Sequence, residues 1–178
     1  MRSGNLELRA MLQGIVDTYV GLELGAQQRE VQDLKRRYRH RITVDQVADP
    51  ADARTCVFNC HAYAFGLHDC DDFWRLRDVG CQKWPDGDFV RDWLFPSLQA
   101  VRRDDANDED IVLYVSGRQI KHSGKVVGRL IRSKWGTGHV WRHNVWEIPI
   151  CFGFNVGYYR RPALDDVVRA FLEFAQAA

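Results

Sequence analysis

Five cysteines occur in the chain, and one of them, Cys60, has the local sequence of a reactive thiol. Asn59 precedes it and an apolar stretch to Leu67 follows, which predicts a helix capped by Asn59 with Cys60 as its first residue. The positive end of a helix favours a thiolate, and the first N–H groups are free to bind an oxyanion. This pattern indicates Cys60 as a nucleophile; the alternative is a buried structural thiol.

A cysteine nucleophile needs a base to accept its proton, and the pattern favours His122 for that role. His122 lies near the start of a predicted strand, beside Ser123 and Gly124, whose small size lets another element approach. His61 is less suitable, because adjacent residues on a helix point about 100° apart. The alternative is that His122 is an ordinary histidine on the surface of a strand.

A third side chain should orient the imidazole ring of the base. If the next hairpin turns near Gly128, His122 faces Ser133 or Lys134. Ser133 is the favoured third residue, because it can accept a hydrogen bond from the ring, whereas the ammonium group of Lys134 would lower the histidine pKa. Other polar residues that follow shortly afterwards stay open for this role: His139, His143, Asn144 and Glu147.

The composition is that of a globular protein. The chain has 178 residues, 46% of them hydrophobic and 28% charged, and its formal charge is +1. We therefore expect neither nucleic-acid nor membrane binding, and no apolar run is long enough to span a bilayer. The first residues, Met1 to Glu7, lack the apolar core of a secretory signal, so we expect a cytoplasmic protein or an effector delivered without a signal peptide.

Helical patterns precede strand patterns along the chain, which predicts an α+β fold in a single domain. The first helix runs from Leu6 to about Tyr38, and three glycines are places where it could break: Gly14, Gly21 and Gly25. Further helices are predicted at 87–101 and after Pro162. About five strands are predicted between these two helices, at 111–115, 120–127, 129–135, 139–148 and 153–159.

Four segments, taken in this order, resemble the motifs of NlpC-like papain-fold proteins. They are Asn59–Phe65, Asp110–Tyr114, Lys121–Val127 and Ser133–Gly136. In those families a cysteine opens a helix, an Asp-aliphatic-aliphatic-x-Tyr strand follows, and a later strand begins His-x-Gly. A little-characterised branch also has the Asn-Cys-His start, the His-Ser-Gly strand and a Ser-Lys-Trp-Gly segment, with a further histidine that His143 would match.

The resemblance implies a papain-like, NlpC-type fold in which N-terminal helices pack on an antiparallel sheet. It places the catalytic core at about 55–162, with a helical extension at about 6–40 and a C-terminal helix at 163–178. It implies Cys60 as nucleophile, His122 as base and a polar residue near Ser133 as the third member. The implied activity is hydrolysis of an amide-type bond, by a peptidase, amidase or deamidase.

The expected partner is a peptide or amide substrate, and a regulatory or immunity protein stays open as a second partner. No cofactor and no metal are expected.

Two functions other than hydrolysis stay open. The first is a non-catalytic module whose six tryptophans line a groove for a peptide or glycan, although tryptophans are more often core residues. The second is a structural zinc held by cysteines and histidines near Cys60.

Overall fold

A computed structural model describes residues 6–18 and 23–177 of the chain. In these residues the fold is α+β, as predicted. The helices are α1 (Leu6–Thr18), α2 (Leu24–Asp33), α3 (Ala53–Cys56), α4 (Cys60–Ala64), α5 (Asp71–Asp78), α6 (Gly87–Phe89) and α7 (Leu164–Gln176). The strands are β1 (Thr43–Gln46), β2 (Ala100–Val101), β3 (Ile111–Ser116), β4 (Gln119–Val127), β5 (Leu130–Lys134), β6 (Val140–His143) and β7 (Asn155–Tyr159).

The strands form one antiparallel sheet in the order β1-β6-β5-β4-β3-β7-β2, with β4 at its centre. The five predicted strands correspond to β3–β7, but the predicted number is wrong because β1 and β2 are also present. Both are short outer strands. β1 pairs with β6, and β2 contributes only two residues, which pair with β7. Strands this short give almost no alternating pattern in a sequence.

The β4–β5 hairpin sets the register at the centre of the sheet. Its two-residue turn contains Gly128, whose φ of 58° lies in the left-handed region that glycine adopts at no steric cost. The last pairs before the turn join Lys125 to Arg132 and Val127 to Leu130. Continuing this register places Ser133 opposite Gly124, so the predicted pairing of His122 with Ser133 or Lys134 is wrong by one or two residues.

Two predicted helices differ from the structure. The pattern over 6–38 divides into α1 and α2, followed by a 3₁₀ turn at Leu34–Arg36, and the predicted break near Gly21 lies outside the described residues, as do residues 1–5. The predicted helix at 87–101 consists of α6, a π-helical turn at Val90–Leu94 and a 3₁₀ turn at Phe95–Ser97. Pro96 cannot continue a helix, and the chain then enters β2.

Buried side chains cover both faces of the sheet. On the face that we call the α4 face, Leu113 packs with Tyr63 of α4 and with Phe171 of α7. On the opposite face, which we call the α1 face, Tyr114 packs in a cluster with Leu12 of α1. No described helix has the length and apolar character needed to cross a membrane.

Candidate functional site

Asn59 caps helix α4 as the sequence predicts. Its backbone is extended, and its side-chain oxygen accepts hydrogen bonds from the N–H groups of His61, at 3.1 Å, and Ala62, at 2.9 Å. The side-chain amide of Asn59 also donates to the carbonyl oxygen of Pro85 at 3.1 Å. These contacts fix the direction in which the helix starts and place Cys60 as its first residue.

The Cys60 thiol faces strand β4 at Ser123. Burial raises the pKa of the thiol to about 11, although hydrogen bonding by the Ser123 hydroxyl and by the backbone N–H groups of Ser123, Cys60 and His61 favours the thiolate and lowers this pKa. At neutral pH the thiol is therefore protonated. Part of the residue remains exposed at the protein surface.

Ser123 connects Cys60 to a histidine. Its hydroxyl lies 2.9 Å from Nδ1 of His61 and 3.1 Å from the carbonyl oxygen of Cys60. Ser123 has no exposed surface, and His61 is 5% exposed. Burial lowers the pKa of His61 to about 4, so its ring is neutral at neutral pH. Two adjacent residues of α4 thus meet the same serine, although their own side chains diverge.

His122 lies on the other face of strand β4. It pairs with Tyr114 across the sheet, and its ring stacks on Phe152 with 3.8 Å between ring centroids. It is 1% exposed, and its Nε2 atom has no hydrogen-bond partner in the described residues. Burial holds its pKa well below the ordinary value, and nearby His61 and His143 lower it further. The assignment of His122 as base stays a prediction.

Ser133 also lies on the α1 face, where it contacts His143 and Trp135. Its hydroxyl lies 2.8 Å from Nε2 of His143 and accepts a hydrogen bond from the indole N–H of Trp135 at 3.1 Å. The structure therefore places the predicted base His122 and the predicted third residue Ser133 on one face, while the predicted nucleophile Cys60 meets the opposite face of β4. Ser133 as a third catalytic residue likewise stays a prediction.

The other candidates for the third position have structural partners. His139 accepts a hydrogen bond from the N–H of Ala48 and contacts the carbonyl oxygen of Leu24. The amide of Asn144 donates to Glu147 at 2.9 Å. The contacts of His139 connect the segment before β6 to α2 and to the loop after β1, and the Asn144–Glu147 contact lies within the loop after β6.

Lys134 and Thr55 also act within the fold. The Lys134 ammonium group is buried on the α4 face, where it donates to the carbonyl oxygens of Thr55, at 3.0 Å, and Gly138, at 2.6 Å. Burial lowers the pKa of Lys134 to about 8. The hydroxyl of Thr55 contacts the carbonyl oxygens of Asp49 and Asp52. Lys134 therefore fastens the segment that precedes α4 to the sheet, whereas the contacts of the Thr55 hydroxyl lie within that segment.

The zinc alternative has no geometric support in the part of the chain that is described. Within residues 6–18 and 23–177, no three side chains of histidine, cysteine, aspartate or glutamate are arranged to hold a metal ion. The cysteines in this part are all free thiols.

Comparisons with known proteins identify no relative. No protein-family model, no curated protein and no solved structure matches the chain.

Sequence reasoning missed the role of Ser123 as the residue that faces α4. A strand directs successive side chains to opposite faces, so His122 and Ser123 cannot both point towards the helix. The structure distinguishes them through Leu113, which pairs with Ser123 and packs in the same core as α4, and no signal in the sequence gives this contact.

Proposed function

We propose that the chain is a cysteine hydrolase with a papain-like fold and Cys60 as its nucleophile. One observation carries the proposal: Cys60 is the first residue of the capped helix α4, and the Ser123 hydroxyl that contacts its backbone carbonyl oxygen also lies 2.9 Å from Nδ1 of His61. A thiol, a proton carrier and a neutral imidazole are the components that general-base activation of a cysteine requires. The order of a cysteine-bearing helix followed by an antiparallel sheet supports the papain-like assignment.

The proposed reaction proceeds through a thioester. The sulfur of Cys60 attacks a carbonyl carbon of the substrate while a histidine takes up the thiol proton. Backbone N–H groups of Cys60 and Ser123, which favour the thiolate, are the proposed donors to the oxygen that gains negative charge. The histidine then returns the proton to the leaving group, and water hydrolyses the thioester.

Two histidines are candidates for the base. His122 is the choice that the resemblance to NlpC-like proteins favours, and Ser133 would then lie on the same face of the sheet. His61 is the choice that the hydrogen bonds favour, because its ring meets Ser123, whose hydroxyl also contacts the backbone of Cys60. Because burial disfavours the protonated form of both rings, either histidine would take up the thiol proton only as the sulfur attacks the substrate.

The proposed substrate is a peptide or another molecule with an amide-type bond, and the proposed activity is that of a peptidase, amidase or deamidase.

The lowered pKa values of the candidate histidines and the raised pKa of the thiol describe a resting state without an ion pair. Proton transfer therefore accompanies attack on the bound substrate, as it does when a general base assists a weakly acidic nucleophile.

Acetylation by p-nitrophenyl acetate tests Cys60 as nucleophile. We expect a burst of p-nitrophenolate and an acetyl group on the peptide that contains Cys60, with both lost in Cys60→Ala. Cys151→Ala is the matched control, because Cys151 is the exposed cysteine of the described residues and would account for unspecific acetylation. Acetylation that disappears in Cys151→Ala but persists in Cys60→Ala would contradict the proposal.

A non-catalytic binding module is the second candidate, and the thiol pKa of about 11 favours it. The tryptophans give it less support: Trp74, Trp135 and Trp141 are buried in the core, which leaves three for a peptide or glycan groove. This candidate predicts that Cys60 is acetylated no faster than the other cysteines, and the same experiment decides between the two functions.

A further inference from the structure

We propose that a cavity on the α1 face of the sheet binds a small organic monoanion, a carboxylate attached to an apolar body. The cavity, which we call the hairpin cavity, has a volume of about 410 Å³, and this is a usual size for a ligand pocket. It is formed by the β4–β5 hairpin, strand β7 and the loop that follows β2. Helix α4, which carries Cys60, covers the other face of the sheet, so the two sites are separate.

The inner wall of the hairpin cavity is apolar. Val126 of β4 and Ile131 of β5 pair across the hairpin, and both are buried. The partly buried Ala106 and Leu130 also line the cavity. Contact with these side chains removes apolar surface of a ligand from water, so the wall favours a ligand with an apolar body.

Two guanidinium groups lie at the rim of the hairpin cavity. Arg103 belongs to the 3₁₀ turn after β2, and Arg129 belongs to the turn between β4 and β5. Both residues are exposed. Neither forms a salt bridge or a side-chain hydrogen bond in the part of the chain that the structure describes. Their donors are therefore available to an anion.

The charges at the rim favour a monoanion. Asp104 lines the cavity beside Arg103, so the lining carries two positive charges and one negative charge. A carboxylate balances the remaining positive charge, whereas a phosphate dianion would bring a second negative charge close to Asp104. The planar carboxylate also matches the two parallel N–H groups of a guanidinium group.

Tyr158 adds a hydroxyl that has no protein partner. The residue lines the cavity and is 8% exposed, and its hydroxyl oxygen has no hydrogen-bond partner among the described residues. Burial raises the pKa of Tyr158, so the hydroxyl keeps its proton at neutral pH and can donate to a carboxylate oxygen. A buried polar group without a partner costs free energy, and a bound carboxylate would remove that cost.

Two hydrogen bonds hold the walls of the hairpin cavity together. The N–H group of Gly128 in the hairpin turn donates to the Asp108 carboxylate at 2.6 Å, and the N–H group of Glu109 donates to the carbonyl oxygen of Val126 at 2.9 Å. These bonds join the loop after β2 to the hairpin, and each of the two carries one arginine. Because the walls are already fixed to each other, ligand binding has less conformational entropy to overcome.

Isothermal titration calorimetry with octanoate tests the site, and octanamide is the uncharged probe of the same length. We expect octanoate to bind the wild-type chain and octanamide to bind about 10-fold more weakly, the loss expected for one charge-assisted hydrogen bond. Arg103→Gln and Arg129→Gln should each weaken octanoate binding by about the same factor. Arg118→Gln is the matched control, because Arg118 is exposed in the turn between β3 and β4 and does not line the cavity.

Tyr158→Phe separates a ligand contact of the hydroxyl from a structural role. We expect octanoate binding to weaken by about 5-fold, the loss of one neutral hydrogen bond. Urea unfolding of the free variant should show no loss of stability, because the hydroxyl has no protein partner to lose.

Three results with octanoate would overturn the proposal: no binding at millimolar concentration, binding no tighter than that of octanamide, or binding that both arginine variants retain in full. Inorganic phosphate that binds as tightly as octanoate would also overturn it, because the apolar wall would then contribute nothing. Acetylation of Cys60 is a separate measurement, so these results leave the proposed function to its own test.

Discussion

The hydroxyl of Ser133 lies 2.8 Å from Nε2 of His143, and neither side chain has any exposed surface. Nδ1 of His143 lies 2.8 Å from the carbonyl oxygen of Asn144, which can only accept, so Nδ1 carries the proton. Nε2 is then the acceptor, and the Ser133 hydroxyl donates to it. This arrangement satisfies a neutral ring and leaves no place for a second proton.

Acid should therefore destabilise the protein partly through His143. Burial lowers its pKa from 6.5 to about 4 in the folded protein. Because the folded pKa lies below the unfolded value, the stabilisation is complete above pH 6.5 and is lost as the pH falls through 4. The shift corresponds to about 3 kcal/mol. Urea unfolding measures how much the free energy of unfolding falls between pH 7.5 and pH 4. This fall should be smaller in His143→Asn than in the wild type, by about the same amount.

The comparison uses the change between the two pH values, so a variant that is less stable at both still gives an answer. Asparagine offers an amide donor for the Asn144 carbonyl oxygen but does not titrate. Equal losses in the wild type and His143→Asn would show that His143 is not held neutral.

Removal of the cap on α4 should destabilise the protein. Asn59→Ala removes the acceptor for two N–H groups and the donor to Pro85, and we expect a cost of about 1–2 kcal/mol in urea unfolding. Asn59→Asp is the matched variant, because it keeps the acceptor and loses only the donor. An aspartate variant as unstable as the alanine variant would show that the cap itself contributes little.

The start of α4 could be predicted from sequence because it depends on neighbouring residues. Asparagine has a strong preference for the N-cap position, and the N–H groups that it binds are two and three residues away. The presence of the strands β3 to β7 follows from similar local patterns. These features need no information from distant parts of the chain.

The face to which each β4 residue points could not be predicted. All residues from His122 to Val126 are buried, because helices cover both sides of the sheet. A strand buried on both faces has no polar face, so the alternation that normally identifies its inner side is missing. The prediction that His122, and not Ser123, faces α4 therefore depended on a motif alone. In the structure, the packing of α4 against β4 places Ser123 on that face.

Arg9 should be important for stability although it lies outside the site. It is 2% exposed, and its guanidinium group donates to three backbone carbonyl oxygens, those of Ile148, Pro149 and Gly153. Arg9→Met keeps most of the apolar contact but leaves these carbonyl groups without the donor. We expect a loss of about 3 kcal/mol in urea unfolding.

Arg118→Ala provides the control for Arg9. Arg118 is exposed in the turn between β3 and β4, and its substitution should change the free energy of unfolding by less than about 0.5 kcal/mol. If Arg9→Met were as mild as Arg118→Ala, the buried guanidinium group would not be what attaches α1 to the loop after β6.

Two glycines should respond in opposite directions to alanine. A Cβ atom at Gly87 would overlap the backbone carbonyl oxygen of Ile120 in β4, which cannot move without disturbing the central strand. A Cβ atom at Gly14 in α1 would meet no atom within 4 Å. We expect Gly87→Ala to lower the free energy of unfolding by about 3 kcal/mol. Gly14→Ala should raise it by about 1 kcal/mol, because alanine favours a helix. Thermal and urea unfolding measure both changes, and a Gly87→Ala variant as stable as the wild type would show that α6 does not pack this closely on β4.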